Sequence, residues 1–281
     1  MKQNLSDLSL TALAPIVWGS TYIVSTEFLA GFSPMTVAML RALPAGVLLL
    51  AIVRQLPTGI WWLRSFILGA LNISIFLSML FVAAYRLPGG VAGTVLSAQP
   101  LIVVLLASLL LSVRFRAPAV LGALAGMIGV ALLVLTPDAA LDPIGIAAGL
   151  AGAASMAMGV TLARKWQPSV SALTFTAWQL TTGGLLLAPV VVLIDGSIPV
   201  PTLSNLMGLV WLGLIGAALT YALWFRGIGR LAPSVVSSLL FLSPLTAVLL
   251  GWMFLGQSLM VLQIIGIALV IGSIWLIQRS S

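Results

Sequence analysis

Ten apolar segments of about 20 residues follow one another along this chain, and they constrain its fold more than any other feature. A helix of about 20 residues spans the hydrocarbon core of a bilayer. Of the 281 residues, 61% are hydrophobic and only 6% are charged, so a water-soluble fold could not cover the apolar surface. Barrel strands are about half as long and alternate in polarity, which these segments do not. The sequence therefore predicts an all-α polytopic membrane protein.

The ten expected transmembrane helices leave both chain termini on the same face of the membrane. They are predicted at residues 8–28, 35–53, 63–83, 90–111, 118–136, 143–163, 170–193, 203–224, 233–254 and 259–277. The cations of the loops on the face of the termini are Lys2, Arg54, Arg64, Arg114, Arg116, Arg164, Lys165, Arg226, Arg230 and Arg279. The opposite loops hold only Arg86. Because cytoplasmic loops are enriched in Lys and Arg, we expect both termini in the cytoplasm and the chain in a bacterial inner membrane.

The chain has no Cys, no His and only five carboxylates, and this composition excludes most catalytic chemistry. Thiol catalysis, histidine general bases and the usual zinc sites need the missing residues. Four carboxylates fall near one membrane surface and Asp7 falls near the other, so no catalytic cluster is expected at the bilayer centre. We therefore expect no metal and no cofactor, and an integral membrane enzyme is a weaker alternative. The net charge of +7 is scattered over the loops, which argues against a nucleic-acid partner.

The chain also repeats itself, which predicts two halves of related structure. When the third to fifth helices are shifted by 144 positions, they align with the eighth to tenth helices without a gap. It superposes Phe81 on Phe225, Arg86-Leu87 on Arg230-Leu231, Pro100-Leu101 on Pro244-Leu245, and Gly122 on Gly266. Each half has five helices, an odd number, so the second half must be inserted upside down. We expect an inverted repeat of residues 1–138 and 139–281, an architecture that supports alternating access to a site near the bilayer midplane.

Several short motifs occur in a characteristic order along the whole chain. They are Trp18-Gly19-Ser20 in the first helix, Arg41 seven residues after Pro34, the central prolines Pro100 and Pro244, and the glycine-bearing helices that follow these prolines. In this order the chain resembles the drug/metabolite transporter superfamily in its ten-helix, EamA-type branch, and within it the aromatic amino acid exporters of the YddG type. The resemblance implies export of a small organic solute. Many members carry an acid just after the fourth and ninth helices, where this chain has Val113 and Gln257.

Aromatic, hydroxyl, amide and thioether side chains at mid-membrane depth are the candidate substrate-binding residues. They are Trp18, Thr21, Tyr22, Asn72, Phe76, Ser97, Gln99, Ser155, Met158, Trp178, Gln179 and Tyr221. Because Trp prefers interfaces to the bilayer centre, a central Trp18 is expected to face the protein interior and not lipid. Some of the polar groups are expected only to bond helix to helix, as is common in bilayers. Together they predict a neutral pocket for an apolar or aromatic solute.

Two prolines and two charged residues complete the candidates. Pro100 and Pro244 each remove a helical hydrogen bond near mid-membrane, so we expect kinks that shape or gate the path. Arg41 is the only base expected inside the membrane, about two turns from the outer end of its predicted helix. It either forms an ion pair with Glu27 or snorkels to the interface. The functional alternative is that Arg41 contacts a solute carboxylate or acts as a gate.

These observations predict a secondary transporter whose partners are a small-molecule solute and membrane lipid. We expect a monomer that exports amino acids, aromatic ones above all, or similar neutral metabolites by alternating access. The direction rests on the resemblance alone, and the sequence leaves proton coupling and facilitated movement both open. The principal alternative is a multidrug exporter of lipophilic cations, for which Glu27 would be essential.

Overall fold

The computed structural model describes residues 5–87, 89–114, 116–134, 142–196, 198–254, 256 and 258–280. Within these ranges, the side chains of residues 22, 84, 85, 89, 90 and 280 are not described. Lys2, Asp138, Gln257 and the side chain of Tyr22 therefore lie outside the described residues.

The described residues form ten helices that are long and apolar enough to cross a membrane, which confirms the all-α class and the number of spans. The helices are α1 (Leu5–Phe28), α2 (Pro34–Val53), α3 (Trp61–Ala83), α4 (Val91–Leu111), α5 (Ala117–Val134), α6 (Pro143–Lys165), α7 (Ala172–Ile194), α8 (Leu203–Arg230), α9 (Pro233–Phe254) and α10 (Val261–Arg279). Among the described residues there is no strand. Successive helices run in opposite directions. The face that holds the start of α1 and the end of α10 is the termini face, and the opposite one is the distal face.

The end of α8 shows why hydrophobicity alone misplaces a helix boundary. The apolar pattern predicts an end at residue 224, but the helix continues to Arg230. Backbone hydrogen bonding does not need apolar side chains, and the partial negative charge at a helix C-terminus favours cations there. Arg226 and Arg230 meet that preference in the last turns.

The helices α2 and α7 begin with the same capping pattern. The Ser33 hydroxyl accepts a hydrogen bond from the Thr36 N–H at 3.1 Å, and the Ser171 hydroxyl accepts one from the Thr174 N–H at 3.0 Å. Such caps satisfy backbone donors that a helix start leaves free. The hydroxyls of Ser33 and Thr36 also donate to the Asp195 carboxylate at the end of α7. The cap of α2 is thereby bonded to its neighbouring helix.

Four helices depart from regular α geometry at positions related by the 144-residue repeat. The segments Ala70–Ile75 in α3 and Trp211–Leu219 in α8 are π-helical. In α4 a turn directly precedes Pro100, and in α9 the 3₁₀ turn Leu239–Phe241 precedes Pro244. Proline accounts for the second pair, because it lacks an N–H and its ring clashes with a carbonyl four residues earlier. The gating role of these prolines stays a prediction.

The crossing of α5 and α10 is reciprocal between the two halves. A Cβ added to Gly122 would lie 2.5 Å from Ile277, and one added to Gly266 would lie 3.1 Å from Leu133. Gly266 and Ile277 follow Gly122 and Leu133 by 144 positions. The contact of Gly122 with Ile277 is therefore matched by the contact of Gly266 with Leu133. Related surfaces contact each other in this reciprocal way across a two-fold axis.

The crossing of α2 and α7 is reciprocal in the same way. A Cβ added to Gly46 would lie 2.8 Å from the Thr181 Cα, and one added to Gly184 would lie 2.6 Å from the Leu43 Cα. A shift of 138 positions relates Gly46 to Gly184 and Leu43 to Thr181. Small residues that let backbones approach closely are typical of helix contacts in membranes.

The α5–α10 crossing gives a stability prediction. Gly266→Ala would place a methyl group 2.7 Å from the carbonyl oxygen of Gly129, so the two helices must separate. We expect a loss of about 1–3 kcal/mol and a lower apparent melting temperature in detergent. Gly272→Ala in the same helix is the matched control, because no described atom lies within 4 Å of its added Cβ. Equal melting temperatures for the two variants would contradict this close crossing.

Candidate functional site

A cavity of about 370 Å³ opens at the distal face between α1, α2 and α3. Its volume falls within the range of small-molecule sites, about 300–1,000 Å³. The lining is mainly apolar, with three hydroxyl groups and one guanidinium group. The lining residues are Thr21, Ser25, Thr26, Leu29, Ala30, Phe32, Pro34, Val37, Arg41 and Phe81. Thr21 is thus an expected substrate-binding residue that lies in this cavity.

Arg41 is the charged group of the cavity, and its partner differs from the predicted one. Its side chain is 9% exposed and donates through Nη2 to the carbonyl oxygen of Gly216 in α8, at 3.0 Å. Glu27 is exposed, and the ion pairs of the described residues do not include it. The predicted Glu27–Arg41 ion pair is therefore wrong for this conformation, because Arg41 extends inward to α8. The burial of Arg41 also argues against snorkelling.

The charge of Arg41 changes the expected character of the site. The sequence predicts a neutral pocket, whereas this cavity contains a guanidinium group. A guanidinium retains its positive charge in proteins and has five N–H donors. The cavity can therefore attract an anionic group, which a neutral pocket would not do.

Trp18 is not among the lining residues of the cavity, but it shares a hydrogen-bond acceptor with Arg41. Its Nε1–H donates to the same Gly216 carbonyl oxygen at 3.1 Å and to the Thr220 hydroxyl at 2.9 Å. The centroid of its ring lies 5.0 Å from that of Tyr221. The contacts of Trp18 are thus with α8, and direct contact between Trp18 and a solute stays a prediction.

Seven aromatic side chains extend from Trp18 towards the termini face, and they are called the aromatic cluster below. Neighbouring ring centroids lie 5.0 to 6.1 Å apart, a favourable range for aromatic pairs. The members are Trp18, Trp61, Phe175, Trp178, Tyr221, Trp224 and Phe225. The Trp178 Nε1–H also donates to the Gln55 carbonyl oxygen at 2.7 Å. The cluster occupies the space between α1, α3, α7 and α8 on the termini side of the cavity.

Charged contacts hold α1, α6 and α8 together at the termini face. The Asp7 carboxylate lies 2.5 Å from the Arg226 guanidinium and 3.4 Å from that of Arg230. Arg164 at the end of α6 donates to the carbonyl oxygens of Ile228 and Gly229. Between α1, α6 and α8 the termini side is therefore closed by ion pairs as well as by the aromatic cluster. A smaller cavity of about 210 Å³ lies at this face between α4, α5 and α9.

A single ion pair occupies the repeat-related place at the distal face. Arg86, which the repeat relates to Arg230, lies 3.4 Å from Asp142. Asp142 caps α6, much as Asp7 lies near the start of α1. Hydrogen bonds from backbone N–H groups, that of Gly145 above all, lower the pKa of Asp142, and Arg86 lowers it further. The Asp142 side chain is more exposed than that of Asp7, whereas Arg86 is less exposed than Arg230.

Three of the expected substrate-binding residues form helix-to-helix contacts instead of lining the cavity. The Asn72 Nδ2 donates to Gln179 Oε1 at 2.8 Å, and both side chains are fully buried. The Ser155 hydroxyl donates to the Leu71 carbonyl oxygen at 2.8 Å. Gly159 leaves room for the Asn72 amide, because an added Cβ would collide with it. The contacts join α3 to α6 and α7.

The remaining expected residues lie elsewhere in the helix bundle. Ser97 is buried and bonds to a carbonyl oxygen of its own helix. Gln99 is buried, and its Nε2 has no hydrogen-bond partner among the described residues. Phe76 and Met158 are half-buried, and the side chain of Tyr22 lies outside the described residues. For all of these a binding role stays a prediction.

Sequence reasoning did not select several residues of the cavity. Ser25, Phe32 and Phe81 line it, although none was among the expected substrate-binding residues. The repeat offered one signal, since Phe81 corresponds to Phe225 of the aromatic cluster. Phe32 lies in the connection after α1, where helix periodicity gives no information.

Comparison with known proteins places the chain among transporters. The model of the EamA-like transporter family matches residues 6–135 and, separately, 143–279. Protein PecM of Dickeya dadantii is 45% identical over 270 residues, covering 95% of this chain and 91% of that protein. The uncharacterized inner membrane transporter YedA of Escherichia coli is 26% identical, covering 93% and 87%. One crystal structure shares the fold with a TM-score of 0.85 at 20% identity, covering 98% and 96%. The resemblance to the EamA-type branch of the drug/metabolite transporter superfamily is confirmed, and the finer resemblance to the YddG-type exporters stays a prediction.

The buried amide pair gives a prediction that tests its packing role. Because Asn72 and Gln179 bond within the bilayer, their single and double alanine variants should show a coupling energy of about 0.5–1.5 kcal/mol. The measurement is a double-mutant cycle of unfolding free energies in detergent. Ser97→Ala combined with Gln179→Ala is the control and should be additive, because Ser97 bonds within its own helix. Additive effects in the Asn72–Gln179 cycle would exclude the packing role.

Proposed function

The chain belongs to the EamA-like transporter family, and from this premise we propose that it exports amino acids, aromatic ones above all, or similar metabolites by alternating access. The family and the ten membrane-spanning helices make it a multi-pass membrane transporter. The substrate, the direction and the mechanism belong to the proposal. We also propose that it acts as a monomer, since the cavity is lined within one chain.

The proposal places both termini in the cytoplasm of a bacterial inner membrane, so the distal face is the outside. Nearly all the loop cations lie at the termini face, as the positive-inside rule favours. We further propose that residues 1–138 and 139–281 form an inverted repeat. The reciprocal crossings of α2 with α7 and of α5 with α10 support it, as do the two separate family matches.

One observation carries the proposal: a cavity opens at the distal face while the aromatic cluster closes the termini side beneath it. A transporter that works by alternating access has this arrangement in one of its two states. Inverted halves can exchange conformations, so the opposite state would open the termini side and close the cavity. We therefore assign the structure to an outward-open state.

The cavity lining suits a small solute with an apolar or aromatic body. Phe32, Phe81 and Val37 supply apolar walls, and the hydroxyls of Thr21 and Ser25 can bond to polar groups. Small-molecule sites typically combine an apolar wall with a few polar groups that fix orientation. An aromatic amino acid has this division between an apolar ring and a polar end.

The exporter of lipophilic cations is the less favoured alternative. The cavity contains the Arg41 guanidinium, which repels a cationic solute, and Glu27 is not among its lining residues. At 4 Å, two like charges oppose each other by about 4 kcal/mol at the dielectric typical near a protein surface. A membrane enzyme is also less favoured, because the relatives whose names state a role are transporters.

Counterflow in proteoliposomes tests the export proposal. Vesicles loaded with unlabelled phenylalanine should accumulate external radiolabelled phenylalanine transiently, and tryptophan should compete for it. Glucose and tetraphenylphosphonium should not compete, because neither combines an aromatic body with an anionic group. Transient accumulation with tetraphenylphosphonium and none with any amino acid would contradict the proposal and favour the cation exporter.

Two variants show whether the distal cavity is the transport path. Ser25→Phe would fill the cavity and should lower the initial rate about tenfold, a change of roughly 1.4 kcal/mol. Leu109→Phe is the matched control, because Leu109 is 69% exposed on the lipid-facing surface and should keep the wild-type rate. Equal rates in both variants would place the path elsewhere.

A further inference from the structure

We propose that the Arg41 guanidinium binds the carboxylate of the transported solute, and that the carboxylate is obligatory whereas an amino group is not. The substrate class would then be small aromatic or apolar carboxylates, of which aromatic amino acids are one kind. This inference rests on the proposed function, because it takes the distal cavity as the transport site.

Arg41 is a buried cation without a counter-ion among the described residues. Of the carboxylates of those residues, Asp7 pairs with Arg226 and Arg230, Asp142 pairs with Arg86, and Glu27 is exposed and forms no ion pair with Arg41. Asp195 accepts hydrogen bonds from hydroxyls at the start of α2. A charged side chain within a membrane helix is costly and usually faces a partner or a watery cavity. A solute carboxylate in the cavity would supply the missing negative charge.

The guanidinium also has hydrogen-bonding capacity to spare. One of its N–H groups donates to Gly216. None of its nitrogens is a fully buried atom without a hydrogen-bond partner. Arg41 is one of the residues that line the cavity. Arg is suited to carboxylates since its planar N–H groups match the two carboxylate oxygens.

The repeat relates the Arg41 site to the buried amide pair of the other half. The shift of 138 positions relates Arg41 to Gln179, and the shift of 144 relates Asn72 to Gly216. In one half, the Asn72 Nδ2 donates to Gln179 Oε1, and the Asn72 Oδ1 has no partner among the described residues. In the other half a glycine replaces the asparagine, and an added Cβ would make only ordinary contacts, the nearest at 3.6 Å. The second site thus has a guanidinium and a glycine in place of an amide pair.

The lining also explains why the amino group should not be required. It contains one cation and hydroxyl groups but no carboxylate, so nothing in it pairs with an ammonium group by charge. The hydroxyls of Thr21 and Ser25 can accept a hydrogen bond from an amine, which tolerates the group without selecting it. Removing the amino group should therefore cost less binding than removing the negative charge.

The test measures binding of three phenyl compounds to the full-length protein in nanodiscs by titration calorimetry. The compounds are phenylalanine, 3-phenylpropionate, which lacks the amino group, and phenylalaninamide, which lacks the carboxylate. We expect the first two to bind with similar affinity and the amide at least about 30-fold more weakly, since a buried charge-assisted contact is lost. Equal affinity for the amide would overturn the proposal.

Variants then assign the effect to Arg41. Arg41→Gln should weaken 3-phenylpropionate binding about 30-fold or more, and Arg41→Lys should retain part of the affinity because it keeps the charge. Arg41→Gln is expected to fold, since Gln occupies the related position 179, and its melting temperature without ligand verifies this. Arg86→Gln at the same face is the control for general attraction and should bind like wild type. Wild-type affinity in Arg41→Gln would overturn the proposal.

The two proposals fail in different ways. If Arg41→Gln keeps the wild-type affinity and full phenylalanine counterflow, the carboxylate assignment falls and the export proposal stands. If carboxylates bind in an Arg41-dependent way but none shows counterflow, the assignment stands and the export proposal falls.

Discussion

The carbonyl oxygen of Gly216 accepts hydrogen bonds from both Trp18 and Arg41, and the functional arrangement depends on this shared acceptor. It lies in the π-helical segment Trp211–Leu219 and joins α1, α2 and α8 at one level of the bundle. The cavity lies on one side of this level and the aromatic cluster on the other. A neutral carbonyl satisfies an N–H group of Arg41 without cancelling its charge, so the guanidinium remains able to attract an anion.

Positions related by the sequence repeat share backbone distortions and close glycine contacts, but their side chains differ in chemistry. The Asn72–Gln179 pair bonds α3 to α7 where the other half has Arg41 and a glycine. The ion pairs at the termini face and at the distal face differ as well. Among the described residues, Asp7 contacts two arginines at the termini face, whereas the more exposed Asp142 contacts one arginine at the distal face. These contacts favour closure of the termini side, in agreement with the state proposed for the structure.

Sequence reasoning reached the fold because the length of an apolar run is itself the physical requirement for spanning a bilayer. It also reached the related distortions before Pro100 and Pro244, since proline acts locally. It failed for Arg41, because its acceptor is a backbone carbonyl far along the chain, which residue identity does not reveal. Glu27 looked like a partner through charge alone. The π-helical segments carried no compositional signal, and three of the polar candidates, Asn72, Ser155 and Gln179, proved to bond between helices.

The central claim is that the cavity beside Arg41 reaches the outside while the opposite face is closed. Single cysteines can be placed without background, because the chain has none. Ser25→Cys in the cavity should react with an impermeant thiol reagent in right-side-out vesicles and be protected in inside-out vesicles. Thr58→Cys in the exposed α2–α3 connection should behave in the opposite way. If Ser25→Cys reacts in inside-out vesicles and not in right-side-out vesicles, the result contradicts this claim.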